Sequence, residues 1–471
     1  MEIEGKKTLV LGAGKSGIAS AKFLAERGAV VALHDRNEIE NWPEAARSLK
    51  STHNVGVMSG QIPSWLLDQI ELVVISPGVP TNTIPARYVD RKDGEVIGEV
   101  ELAYRFMKGR IVGITGSNGK TTTTTLIGEI LKNAGIETQV GGNIGTPLLS
   151  LAETSTDETW TVVELSSFQL ETIKDFHPQV AICLNVTPNH LDRYDSFTDY
   201  AAAKHRIFTN QTAADVAILN ADDEITASWA AGLKAAVLLF SVKRELDEGL
   251  FLRGRDLICR ANDKEKVLIT RDEIFVQGLH NVENVLAALA AALACGASPE
   301  SMRDTIRNFK GVEHRIEFVA EIDGIKFYND SKATSVDAAS KALEALSEGS
   351  GKTVLILGGR GKNAPYAPLA DLIEKSVRSL IVFGEDGDNI ESQLKDHGAI
   401  VRVGSLQEAV AAGFEKAENG DAVLLAPACA SFDMFTSFEE RGEEFKSRVH
   451  SLKSRVRSPE SRVYPGAEAR T

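Results

Sequence analysis

Short apolar runs and amphipathic stretches alternate along the whole of this chain. Runs rich in β-branched and aliphatic residues fall at 8–11, 30–33, 72–75, 111–114, 160–164, 180–185, 216–219, 354–357, 379–383 and 422–426. Between them, stretches such as 18–27, 99–107, 126–131, 284–294 and 302–309 carry apolar residues at helical spacing. Strands alternating with helices predict parallel sheets covered on both faces, an α/β fold. The units group into three sets. These are a Rossmann-like N-terminal domain over 1–98, a central P-loop-type domain with a mostly parallel sheet over 99–311, and a Rossmann-like C-terminal domain over 312–452. Residues 453–471 read as a polar tail without apolar periodicity and are expected to be disordered.

Composition narrows the field. A chain of 471 residues is too long for one core, and domains of about 100–200 residues each give roughly three. The net charge of −14 argues against general nucleic-acid binding, which calls for a basic surface. It leaves room for a local basic pocket around a small anion. Cys183, Cys259, Cys295 and Cys429 lie far apart and form no CxxC pair, so neither a zinc site nor a disulfide framework is expected. The N-terminal residues hold no apolar signal core. No run of about 18 apolar residues is present, so no membrane span is expected and a cytoplasmic, monomeric protein is the reading.

The most informative chemistry follows the run at 111–114. It ends in Gly116-Ser117-Asn118-Gly119-Lys120-Thr121-Thr122 and leads into a helical stretch. Strand, Gly-rich turn and helix make a phosphate cradle, in which backbone N–H groups and the helix N-terminus face the anion. Lys120 can reach terminal phosphates and the Thr121 hydroxyl can ligate Mg²⁺. The standard P-loop has four residues between its glycines; here there are two. The bland alternative is an ordinary strand-to-helix turn.

A second glycine-rich turn, Gly12-Ala13-Gly14-Lys15-Ser16-Gly17, follows the first run and fits GxGxxG. Asp35 closes the next strand 18 residues after Gly17, the spacing of a unit that binds a nucleotide's ribose. Read directly, it points to NAD and an oxidoreductase, although such an enzyme has no use for a second phosphate loop. Ser76 begins the turn after the run at 72–75, at the same edge, where a plain turn is the alternative. Glu164 ends a strand and His190 lies just beyond the following one, so the pair could share a Mg²⁺ with Thr121. A first-turn helix acid and a loop histidine are the plain alternatives. Lys204 reads as a solvated helical lysine, and Asn281 and Asn284 as helix caps.

Further motifs bring these residues together. Glu164-Leu-Ser-Ser-Phe-Gln-Leu170, Leu184-Asn-Val-Thr-Pro-Asn-His-Leu-Asp-Arg193, Glu313-His-Arg-Ile-Glu317, Asn329-Asp-Ser-Lys-Ala-Thr334 and Pro427-Ala-Cys-Ala-Ser-Phe-Asp433 follow the Lys120 loop in that order. Over about residues 5–450 the chain resembles the Mur ligases, which build the peptidoglycan stem peptide. Glu164-Leu-Ser-Ser-Phe-Gln and Ser431-Phe-Asp resemble the D-glutamate-adding branch, and the Asp-Asn-Pro-Arg run of the diamino-acid branch is absent.

The resemblance implies a function. ATP would phosphorylate the terminal carboxylate of UDP-N-acetylmuramoyl-L-alanine, and D-glutamate would attack the acyl phosphate, with Mg²⁺ as cofactor. It implies that Gly116 to Thr122, Asn281, Asn284, His314, Arg315 and Asp330 face ATP. Glu164, His190 and a carbamylated Lys204 would hold Mg²⁺. Ser16, Asp35, Arg36, Ser76, Asn143 and His190 would meet the UDP substrate, which reassigns the GxGxxG turn. Lys332, Thr334, Lys362, Ser431 and Phe438 would meet D-glutamate. Here Asp35 is followed by Arg36 and Asn37, where the family commonly has threonine and arginine, so the uracil contacts differ. Three alternatives stay open: an NAD-dependent oxidoreductase, a folylpolyglutamate synthase relative, and a non-catalytic nucleotide binder.

Overall fold

A computed structural model of the chain describes residues 1–85, 88, 94–143, 146–188, 193–276, 278–347, 351–361 and 364–457. His190 and Lys362 lie outside the described residues, as does the tail from 458 onward. Two compact units form, Met1–Phe309 and a second beginning at Lys310.

The first unit holds two sheets. In the first, β1 (Lys7–Leu11), β2 (Val30–Asp35), β3 (Gly56–Ser59), β4 (Leu72–Ile75) and β5 (Glu95–Gly98) run parallel in the order β3-β2-β1-β4-β5. The order reverses between β1 and β4, which opens a crevice at their C-terminal ends. The strand at 72–75, the third by sequence pattern, is therefore the fourth. The short edge strand β3 has only partly buried side chains beyond Gly56 and gives no continuous apolar signal.

The second sheet comprises β6 (Arg110–Thr115), β7 (Thr138–Gly142), β8 (Trp160–Glu164), β9 (Val180–Cys183), β10 (Val216–Asn220), β11 (Ala236–Ser241), β12 (Gly249–Arg253), β13 (Asp256–Ala261) and β14 (Lys264–Thr270). Their order is β14-β13-β12-β11-β10-β9-β6-β8-β7, parallel from β7 to β12 and antiparallel beyond. Here β6 is the switch strand, with β8 on one side and β9 on the other. Its interior residues Val112 and Ile114 are fully buried, which is what a strand covered on both faces requires. The helix Leu279–Ala294, nearly all Ala, Leu and Val past its first turn, packs on the helix Lys120–Asn133.

The second unit carries β15 (Glu317–Ile322), β16 (Ile325–Asn329), β17 (Thr353–Gly358), β18 (Val377–Phe383), β19 (Ile400–Arg402) and β20 (Ala422–Leu425). Their order is β15-β16-β20-β17-β18-β19, with β15 antiparallel and the rest parallel. The helix Phe438–Arg457 covers one face. This corrects the expected limit of the polar tail, because Lys453 to Arg457 are helical. Phe445, Val449, Leu452 and Val456 keep a helical stripe against the β15–β20 core, so the apolar period runs further than the charged residues around it suggest.

Candidate active site

The Gly116–Thr121 loop leaves the C-terminal end of β6 between the ends of β8 and β9. Ile114 pairs with Glu164, and Thr115 with Cys183. Gly116 and Gly119 adopt φ of +150° and +81°, values open to glycine at little cost. The loop is braced from the β9 side. Ser117 N donates to Asn185 O at 2.9 Å and Asn118 N to Asn185 Oδ1 at 2.8 Å. Ser117 Oγ lies 3.0 Å from both Thr187 O and Tyr200 Oη. The turn then starts the helix Lys120–Asn133, whose N-cap is Gly119, and Thr121 is buried in its first turn. The strand–loop–helix expected from sequence is present, with its two-residue spacing accommodated by the two glycines.

Two lysines meet at this loop. Lys120 Nζ donates to Gly116 O at 2.9 Å and Ser117 O at 3.0 Å. Lys204 Nζ donates to the same Gly116 O at 2.8 Å and sits 4.6 Å from the centroid of the Tyr200 ring. Lys204 is only 2 % exposed, which overturns its reading as a solvated lysine. Burial, with the Lys120 charge adding to it, pulls its ammonium down to about 7. A neutral amine is thus well populated near neutral pH.

Glu164 is buried at the end of β8. Its Oε1 accepts from Asn143 Nδ2 at 3.0 Å, while its Oε2 is buried without a hydrogen-bond partner. An orphaned carboxylate oxygen beside a phosphate loop suits a divalent cation, since a buried unpaired charge is otherwise costly. Glu164 is not a helix-terminal acid: the next helix starts at Ser167 and is capped by a Ser166–Gln169 capping box. Nor do Asn281 and Asn284 cap their helix. Gly278 is the N-cap, and Asn284 is buried against the phosphate loop. Its Oδ1 accepts from Thr123 Oγ1 at 3.3 Å and its Nδ2 donates to Asn281 Oδ1 at 3.1 Å.

A cleft of about 690 Å³ opens at the β1/β4 crevice, and Ser16, Asp35, Arg36, Ser76 and Asn143 all line it. Gly12, at φ +99°, lets the turn close on Ser76: a Cβ there would sit 2.9 Å from Ser76 Oγ. Asp35 braces the turn by accepting from Ala13 N at 2.9 Å and Asn37 N at 3.0 Å. Arg36 donates to Thr83 Oγ1 at 3.2 Å. Gln169, which sequence reasoning did not single out, lines the same cleft.

In the second unit, the remaining expected residues lie in the segment before β15, in the loops after β16 and β20, and at the start of the helix Phe438–Arg457. Asp330, Ser431 and His314 are buried, and Lys332, Thr334, Arg315 and Phe438 are half-buried. Burial, opposed by Arg315, raises the Asp330 carboxyl to about 7. His314 adopts φ +60°. Its Nδ1 lies 3.0 Å from Asn329 Nδ2, and Lys332 N donates to His314 O at 3.1 Å, which ties the Glu313–Glu317 segment to the Lys332 loop.

A phosphate loop at the switch point of one parallel sheet and a nucleotide-type cleft at that of another define a multidomain, phosphate-binding α/β protein. Comparison with known proteins is specific. The Mur ligase MurD-like N-terminal domain matches residues 6–98, the Mur ligase middle domain 114–292, and the Mur ligase glutamate ligase domain 314–429. UDP-N-acetylmuramoylalanine--D-glutamate ligase of Koribacter versatilis is 46% identical over 448 residues, 95% of this chain and 97% of that protein. The protein of the same name from Acidobacterium capsulatum is 46% identical over 95% of this chain and 96% of its own length. Among solved structures, UDP-N-acetylmuramate-alanine ligase MurC from Thermotoga maritima aligns with a TM-score of 0.55 at 21% identity, covering 95% of this chain and all of that one. The chain belongs to the Mur ligase family.

Proposed function

We propose that the protein is the ATP-dependent ligase that joins D-glutamate to UDP-N-acetylmuramoyl-L-alanine in peptidoglycan precursor synthesis. The observation that carries this is Asn143. It lines the nucleotide cleft and also donates to Glu164 beside the phosphate loop, so a substrate in that cleft points its far end at the phosphates. The near-full-length likeness to D-glutamate ligases supports the choice of amino acid. The proposed domain limits are 1–98 for the UDP substrate, 99–311 for ATP and 312–452, extended by the helix to Arg457, for D-glutamate.

A carboxylate attacking a polyanionic phosphate must overcome charge repulsion, so the site has to supply cations. Lys120 and the N–H groups at the start of the helix Lys120–Asn133 receive the phosphates, those of Ser117 and Asn118 being held by Asn185. Thr121, Glu164, His190 and Lys204 as a carbamate are the proposed holders of Mg²⁺, which when bound offsets the charge on the transferring phosphoryl group. The amine of Lys204, held near neutrality, is the form that condenses with CO₂. Lys332, Thr334, Lys362, Ser431 and Phe438 are the proposed D-glutamate contacts, two cations and two hydroxyls suiting a dicarboxylate. A cytoplasmic location and a monomeric state complete the proposal.

The test is phosphate release from ATP, Mg²⁺ and UDP-N-acetylmuramoyl-L-alanine with each of four amino acids: L-alanine, D-glutamate, meso-diaminopimelate and L-lysine. Release with D-glutamate alone is expected. Equal release with another amino acid, or release without the UDP substrate, refutes the reading.

A further inference from the structure

The loops after β16, β17 and β20 converge on one side chain that no sequence motif marks. Arg441 lies in the first turn of the helix Phe438–Arg457 and is the largest fully buried side chain of the described residues. Its Nε donates to Ser331 Oγ at 3.0 Å and its Nη2 to Ser331 O at 2.9 Å. Both Nη atoms donate to Cys429 O at 3.2 Å, and Nη1 lies 3.4 Å from Gly358 O. The acceptors follow β16, close β17 and follow β20, in strands paired in register at Asn329–Leu425 and Ile356–Leu425.

Each of these loops carries residues proposed to meet D-glutamate. Lys332 follows Ser331 directly, Ser431 lies two residues after Cys429, and the turn after Gly358 leads toward Lys362. The turn fits tightly around the guanidinium. A Cβ on Gly359, at φ +133°, would stand 3.1 Å from Arg441 Nη1 and 2.2 Å from Ala430 O. Two backbone hydrogen bonds between Arg360 and Ala430 then couple the second and third loops. The helix turn that aims Arg441 is itself fixed. Glu440 N donates to Ser437 Oγ at 3.2 Å, Thr436 N donates to Glu440 Oε2 at 2.6 Å, and Ser331 Oγ donates to Phe438 O at 2.7 Å.

We propose that Arg441 is a positioning residue for the amino-acid subsite, its planar fork setting the spacing between the three loops that present Lys332, Ser431 and the 359–361 turn. A guanidinium suits this role because its donors lie in one plane at fixed angles, whereas an ammonium is a single point donor. The charge meets backbone carbonyls and a hydroxyl rather than a carboxylate. Burial draws its pKa down only to about 10, so it stays cationic at working pH. Among the described residues, its hydrogen bonds go to none of the proposed D-glutamate contacts. It acts through the carbonyls of Ser331 and Cys429, one and two residues before Lys332 and Ser431. The inference rests on the D-glutamate reading of the second unit.

The test is steady-state kinetics of the full chain with three substrates varied in turn. Arg441→Lys keeps the charge and loses the fork. A misplacement of about 1 Å costs on the order of 100-fold in a positioned reaction. The expected result is therefore a rise in KM for D-glutamate on the order of 10- to 100-fold, with KM for ATP and for the UDP substrate nearly unchanged. Ser331→Ala removes one acceptor of the fork and the donor to Phe438 O without altering a charge. It is expected to raise the same KM by a smaller factor and to lower thermal unfolding modestly while still folding, since two buried hydrogen bonds are lost, so the inference stays testable if the lysine variant does not fold. Unchanged KM for D-glutamate in the folded variants, or a parallel rise in all three constants, overturns the inference. Wild-type protein that releases no phosphate with D-glutamate overturns the functional reading instead.

Discussion

Replacing Gly119 by alanine should weaken nucleotide binding selectively, and the structure gives the size of the effect. Gly119 adopts φ +81° at the N-cap of the phosphate-loop helix. An alanine held in the left-handed region costs about 1–2 kcal/mol. Its Cβ would also stand 2.2 Å from Asn284 Oδ1 and 3.2 Å from Leu184 Cδ1. Asn284 cannot swing away freely, since it is buried and held by Thr123 and Asn281. Displacing it puts two hydrogen bonds at risk, each of about 1 kcal/mol. The cradle therefore becomes about 3 kcal/mol harder to hold, and at 1.4 kcal/mol per decade that is on the order of 100-fold in affinity. Isothermal titration with a non-hydrolysable ATP analogue and Mg²⁺ should show that loss. Titration with the UDP substrate should stay within about twofold of wild type, because the cleft around Gly12 and Ser76 is built from other strands. A nucleotide affinity within threefold of wild type, or an equal loss at both sites, would refute the reasoning.

Three further outcomes are expected. Glu164→Gln keeps an oxygen for Asn143 but removes the charge at the orphaned position. A metal's charge stabilisation is worth several kcal/mol, so kcat should fall on the order of 100-fold or more, and a kcat within tenfold of wild type at saturating Mg²⁺ would remove Glu164 from the metal set. Glu99, buried at the start of the helix Glu99–Tyr104, is raised to about 7 by burial, against which backbone N–H donors such as Leu149 N act. A carboxyl raised on folding adds stability that is complete below about pH 4.5 and is lost as pH passes 7, so Glu99→Gln should flatten the urea-unfolding profile across that window by up to about 3 kcal/mol. An unchanged profile would contradict the burial argument. Preparing the enzyme in CO₂-free buffer should lower kcat reversibly, with bicarbonate restoring it and Lys204→Arg showing no response; activity indifferent to CO₂ removes the carbamate.

The alternation of strands and helices was legible because parallel strands buried on both faces must be apolar throughout. All ten runs read from the sequence are strands. Of those missed, β11 carries an apolar run like the ten, and others have different patterns. The edge strand β3 is half exposed, and β12 to β14 form an antiparallel extension with short two-faced strands. Their turns were marked, at Gly254 and at Asn262-Asp263 with φ of +52° and +58°, and those residue types are the available signal. Site residues at strand ends, such as Glu164 and Ser76, followed from local pattern. Lys204 and Arg441 did not, because a long charged residue on a helix reads as solvated. Their burial comes from packing against Gly116, and against the Ser331 and Cys429 loops, contacts separated by 88 and by 110 and 12 positions. Spacing within a helix carries no information about such distant partners. Family resemblance reached Lys204, and only the fold reached Arg441.

The central claim is that the site activates a carboxylate by phosphorylation before the amine attacks. Turnover of UDP-N-acetylmuramoyl-L-alanine labelled with ¹⁸O in its terminal carboxylate, followed by mass analysis of the released phosphate, tests it most directly. An acyl phosphate hands one carboxylate oxygen to phosphorus, so the account predicts one ¹⁸O in each phosphate released in the presence of D-glutamate. Unlabelled phosphate accompanying product would contradict it.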